Sequence, residues 1–227
     1  MCFSATASFT ASAVLLPAGT LALRRAYTTD RRYLALCALP FLFGVQQLME
    51  GFVWTYGARG ESSLVGTFSL GYMFFAWLAW PVWVPFATFF IEPARRKPIY
   101  LVFAIAGGML GALQYVPYFA HEGWLVTTFL GRAIRYGGTE LLDVVIGRNF
   151  TYAIYLAIII APLLIATDRQ VRVFGALVLL VFLTTYFFFT FAYISVFCFG
   201  GAIMSLYLVY MIHTKGRQGG AELPAVG

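Results

Sequence analysis

Stretches of about 20 apolar residues, the length a helix needs to cross a bilayer, recur along this chain of 227 residues. Seven of them can be placed, at 5–23, 34–56, 65–91, 98–120, 150–167, 173–193 and 195–213. With 61% hydrophobic and 11% charged residues, the chain lacks the polar side chains to coat a soluble domain of this size. The expected fold is an all-α membrane protein, a bundle of seven transmembrane helices. Gly57 and Gly60 follow the second run, and Pro93 and Pro98 bracket the loop after the third, as breakers should. Only Ile194 and Ser195 part the last two runs, so these are expected to form a helical hairpin.

Basic residues set the expected orientation, because cationic loops resist translocation. Arg24, Arg25, Arg31, Arg32, Arg95, Arg96, Lys97, Arg169, Arg172, Lys215 and Arg217 follow the odd-numbered runs. Only Arg59, Arg132, Arg135 and Arg148 fall on the other side. The reading is N-terminus outside and C-terminus inside. The net charge of +6 is then a topology signal, with no basic soluble domain for nucleic acid. Residues 1–213 read as the membrane domain and 214–227 as a flexible cytoplasmic tail. Run one does not read as a cleaved leader, since its charges follow the apolar stretch. The outer loop 121–149 is too apolar for a linker, and Gly137-Gly138 predicts a hairpin turn within it; a small hairpin cap and an interfacial helix both fit. Thr29-Asp30-Arg31 and Thr167-Asp168-Arg169 echo each other, which would suit a three-plus-one-plus-three parallel repeat.

Glu50 is the strongest candidate for chemistry. A carboxylate inside an apolar helix costs a few kcal/mol on insertion scales, so it should face protein or water and have a partner. At 100° per residue, Phe43, Gln46, Gln47, Glu50, Trp54 and Gly57 share one stripe. On the fourth run Gly107, Gly111, Gln114, Tyr118 and His121 recur at helical spacing, with Pro117 bending its outer end. Gln46, Gln47, Glu50, Trp54, Gln114 and Tyr118 are therefore the expected ligand-binding set; a packing clamp of hydrogen bonds is the plainer reading of the same residues. Cys2 and Cys198 are expected at the outer surface, either as a disulfide, as free packing thiols, or as a soft-metal site with His121. Cys37 stands alone in the inner half. Trp77, Trp80 and Trp83 with Pro81 and Pro85 predict a bent third helix with an aromatic wall. Tyr186, Thr190 and Tyr193 add hydroxyls, and Cys198, Ala202 and Ser205 form a small-residue face.

The opening MCFSATASF, the GVQQLMEGFVW and WPVWVPFATFFIEP segments and the ending ISVFCFGGAIMSLYL together resemble a bacterial family of small uncharacterised integral membrane proteins that begin MCFSA. The resemblance covers nearly the whole chain. It implies a bacterial inner-membrane location and places Cys2, Phe3, Ser4, Gln47, Glu50 and Cys198 in recurring motifs. It implies no activity or cofactor. The family's ending reads SVWCFFAA, so Phe197 and Gly200-Gly201 depart from it.

Three classes of function follow. The favoured one is a binding or sensory protein holding a small ligand, lipid or metal ion in an outward-facing pocket around Glu50. The alternative is a proton- or ion-coupled transporter or channel using Glu50, although the inner half shows no buried charge to continue a path. The third is an intramembrane thiol- or metal-dependent enzyme, for which no catalytic spacing is present. No lysine precedes Lys215 in the last run to carry a retinal. His121 and His213, at opposite faces, make neither a haem pair nor a histidine zinc cluster. The bilayer is the expected partner; no cofactor or oligomeric state can be read.

Overall fold

A computed structural model of the protein describes residues 4–131, 133–138, 141–189 and 192–221. Helix α1 (Ala5–Thr29) starts at Ser4, whose hydroxyl accepts the Ala7 N–H at 3.2 Å, a standard N-cap. The second run is a 3-10 turn (Arg31–Tyr33), α2 (Leu34–Cys37) and α3 (Leu39–Arg59). Pro40 sits in the first turn of α3, where no helical N–H is lost. Gly60, at φ 72°, ends it in the left-handed conformation that glycine adopts freely.

The third run holds α4 (Ser62–Met73), a π-helical turn (Phe74–Ala79) and α5 (Trp80–Ile91). In an α ladder the N–H of residue 81 would bond the Trp77 carbonyl, and that of residue 85 the Pro81 carbonyl; prolines supply neither. Helix α6 (Lys97–Ala120) closes on both carbonyls. A Cβ at Gly107 would stand 2.0 Å from Pro81 O, and one at Gly111 2.6 Å from Trp77 O. The Pro81 and Trp77 carbonyls, four residues apart, thus face Gly107 and Gly111, also four apart, backbone against backbone, a geometry suited to Cα–H···O contacts.

The remaining helices are α7 (Leu141–Ile146), α8 (Arg148–Leu164), α9 (Arg169–Phe188) and α10 (Tyr193–Ala221). Ile194 and Ser195 lie in the first turn of α10 and do not separate the last two runs; α9 ends at Phe188 and α10 begins at Tyr193. Neither residue is a helix breaker, whereas the Thr- and Phe-rich stretch 184–189 has poor helix propensity. The tail expected from 214 continues as helix to Ala221. Among the described residues six helical runs, beginning at Ala5, Arg31, Ser62, Lys97, Arg169 and Tyr193, are long and apolar enough to cross a membrane; Arg148–Leu164 is apolar but shorter.

Between α6 and α7 lies an antiparallel hairpin of β1 (Leu125–Phe129) and β2 (Ile134–Gly138), with Leu125 opposite Gly138 and Phe129 opposite Ile134. Both a hairpin and a short helix therefore lie between α6 and α8. Gly137-Gly138 lies within β2 and is not the turn; the chain reverses between Leu130 and Ala133, whose backbones bond each other, and Gly131 takes φ 58°. Gly138 is needed inside β2 for close approach, since a Cβ there would lie 2.1 Å from Trp124 O.

Opposite the hairpin, the loops meet in a polar seam. Asp168 Oδ2 accepts from Tyr33 Oη at 2.5 Å and from Lys215 Nζ at 2.8 Å. Glu92 is 3% exposed, and accepts from both the backbone N–H and the hydroxyl of Thr167 at 2.6 Å each. Arg96 donates to Ile165 O at 3.0 Å. The end expected to be cytoplasmic therefore does hold a buried carboxylate, Glu92, beside Pro93 at the end of α5. The repeated Thr-Asp-Arg has a shared local job: Asp30 accepts the Arg32 N–H, and Asp168 those of Gln170 and Val171, both as caps.

The seam gives a pH prediction. Burial pushes the Asp168 carboxyl up, but Lys215 and Tyr33 outweigh it and hold the group below its ordinary value of 3.8. A depressed carboxyl stabilises the fold fully above its unfolded pKa, and that contribution is lost as pH falls through the folded value. Asp168→Asn is expected to lower stability at pH 7 by about 1–2 kcal/mol, from the lost charge-assisted bond to Lys215, because asparagine still caps α9. The difference should begin to narrow as pH falls below about 4, near the unfolded carboxyl value, and vanish only below the lower folded value. Thermal unfolding in detergent at pH 7 and pH 3 measures it; an equal gap at both would refute the assignment.

Candidate functional site

Three helices converge on Glu50, which is 0% exposed. Ser195 of α10 donates to one carboxylate oxygen at 2.5 Å, and Ser8 of α1 approaches the other at 3.4 Å. One turn earlier on α3, Gln46 accepts the Trp80 indole N–H at 3.1 Å and donates to Tyr72 O at 3.4 Å. Close packing lets α1 in: a Cβ at Gly44 would be 3.0 Å from Leu16, and one at Gly51 2.6 Å from Phe9. Cys198, almost one turn beyond Ser195, is a buried free thiol beside Tyr72, Gln46 and Glu50. It is an interior residue, not one at the outer surface.

The structure thus brings Gln46, Glu50 and Cys198 together and adds Ser8, Ser195 and Tyr72. Gln47 and Gln114 are both buried, and neither amide has a partner among the described residues. The Trp54 ring packs on Phe129 of the hairpin at 5.6 Å, with its N–H also without a partner there. Tyr118 is buried under Gly138. His121 is exposed at the end of α6 and stacks on Trp124 at 4.3 Å. Cys2, expected as a metal ligand or as the disulfide partner of Cys198, lies outside the described residues. Among the described residues no group of three His, Cys, Asp or Glu could hold a metal ion.

Beyond Cys198 a cavity of about 520 Å³ opens between the π-helical turn, α8, α9 and α10. Its walls include Trp77, Tyr152, Tyr155, Phe182, Phe197 and Cys198, with Arg148 at the rim. A second cavity, of about 420 Å³, shares Arg148, Tyr152, Tyr193 and Ile194 with the first, and β2 contributes Ile134–Gly138 to it. Of the described residues, these walls contain Cys198 and Ile194 but not Glu50. Arg148 pairs with Asp143 at 2.8 Å.

Sequence reasoning missed Tyr152 and Tyr155. They lie three apart on α8 and so share a face, the one available signal. The Tyr155 hydroxyl donates to the Ala76 carbonyl at 2.5 Å, inside the π-helical turn, where the regular ladder is broken. Such turns gather at functional sites.

The architecture is mostly helical, and its long apolar helices are compatible with a membrane setting. The chain belongs to DUF6629, a family of unknown function, which matches residues 1–222. No curated protein and no solved structure matches it.

Proposed function

We propose that this protein is an integral protein of the bacterial cytoplasmic membrane that binds a small apolar ligand or lipid at its hairpin end, in a binding or sensory role. In this reading there are seven spans, with the hairpin outside and the polar seam inside. The observation that carries it is the aromatic cavity of about 520 Å³, within the range of about 300–1,000 Å³ for small-molecule sites, backed by the Glu50 cluster. Helix α10 is the common wall. Tyr193, Ile194, Phe197 and Cys198 face the cavity, while Ser195 holds Glu50. An occupant pressing on Phe197 and Cys198 acts on the Ser195–Glu50 bond and through it on α1 and α3.

Native mass spectrometry of the detergent-purified protein tests this. Ala153 lines the cavity and is exposed, so Ala153→Trp should fill the mouth with little effect on folding. The wild type should retain an apolar molecule that the variant loses at least about tenfold, the worth of about 1.4 kcal/mol; equal retention counts against the cavity as the site.

A buried carboxylate near each end, Glu50 and Glu92, favours a second reading as a proton-coupled carrier. Glu50→Gln would then abolish pH-dependent uptake into liposomes, and unchanged flux would remove that reading. A metal role for Cys2, Cys198 and His121 is tested by metal content with and without Cys2→Ser.

A further inference from the structure

One polar group of the cavity wall is unspent. Trp77 is 2% exposed, stacks on Tyr152 at 5.6 Å and meets Tyr155 edge-on at 5.2 Å. Its indole N–H has no acceptor among the described residues. A buried donor without an acceptor carries its desolvation cost uncompensated, so such a group invites an explanation. Neighbouring hydroxyls are committed: Tyr155 to Ala76 O at 2.5 Å, and Thr185 to Val181 O at 2.8 Å. Among the described lining residues Arg148 is the one charged side chain. It stands at the rim, paired with Asp143. The inner wall is therefore largely aromatic, and Trp77 Nε1 is the one buried polar atom without a partner among its described residues.

Resting on the ligand-binding reading above, we propose that the occupant is an uncharged membrane lipid with a flat carbonyl-bearing ring, the chemistry of a quinone. The ring enters first, its carbonyl oxygen accepts from Trp77 Nε1, and its faces lie against Tyr152, Tyr155, Phe182 and Phe197. The hydrocarbon tail leaves beside Tyr186, which lines the cavity from α9 and is 57% exposed. A charged head is disfavoured at the inner end, because no counter-charge meets it there. No electron transfer is part of the assignment; it is a binding site.

The test is titration calorimetry of the full chain in lipid nanodiscs with two probes of matched tail, a decyl-benzoquinone and decylbenzene. The quinone should bind about tenfold more tightly, the value of one well-placed hydrogen bond. Trp77→Phe should remove that preference while leaving decylbenzene unchanged. A readout independent of the variant is the infrared carbonyl band of the bound quinone in the wild type, in which one of the two carbonyls should shift to lower frequency. Equal affinity of the two probes for the wild type, or an unshifted band, overturns the quinone assignment and leaves an apolar site standing. Binding of decanoate as tight as that of the quinone would place an acid at the Arg148 rim and overturn the ring-first pose. Failure of every probe to bind overturns the underlying reading of the cavity.

Discussion

Glu50→Ala is expected to destabilise the protein by about 2–3 kcal/mol and to loosen α1 and α10 from α3. Side-chain hydrogen bonds inside membrane proteins average only about 0.6 kcal/mol each, so the two serine contacts alone supply about 1 kcal/mol. The rest comes from the void left in a closed site and from serine hydroxyls stranded without their acceptor. Glu50→Gln keeps a carbonyl for Ser195 at 2.5 Å, and should cost about 1 kcal/mol, one ordinary hydrogen bond. Unfolding midpoints in mild detergent measure both. Alanine and glutamine variants that melt with the wild type would show that the carboxylate does not hold the three helices.

Gly107→Ala is expected to cost about 3 kcal/mol or more. The added methyl would stand 2.0 Å from the carbonyl oxygen of Pro81, a backbone atom that cannot swing aside, so α6 must move away from α5. Overpacking of this kind costs about 1–3 kcal/mol when side chains yield, and here they are not the obstacle. Gly108→Ala is the internal control. Its nearest neighbour would be Val82 Cγ2 at 3.6 Å, an ordinary contact, and alanine gains up to about 1 kcal/mol in helix propensity. The neighbouring glycines should therefore differ in sign or nearly so. Matching losses at 107 and 108 would refute a backbone-on-backbone seam.

Hydropathy made the starts of the helical runs legible to within about four residues and their ends to within about eight, because length and apolarity are properties of each segment by itself. The carboxylate in the α3 stripe was legible for a similar reason: an acid among apolar neighbours must be met by something. Which groups meet it was not. Ser8 and Ser195 lie 42 and 145 residues from Glu50 in the chain, and a serine in an apolar helix gives no sign of its partner. The π-helical turn escaped notice because proline content predicts a disrupted ladder and not which way it is repaired. The hairpin turn was misplaced for a local reason. A Gly-Gly pair signals either a reversal or a close approach, and only Trp124 lying against Gly138 decides between them.

The hairpin is riveted at three places. Phe129 lies over Gly57, where a Cβ would stand 2.1 Å from its ring; Thr127 donates to Ser69 at 2.8 Å; and Tyr136 stacks on Tyr72 at 4.7 Å. A cover fastened in this way does not flap on the nanosecond scale of free loops. If the cavity takes a ligand as proposed, traffic through the hairpin face would have to wait for α3 and α4 to shift together, whereas entry past the exposed Tyr186 would avoid that cover.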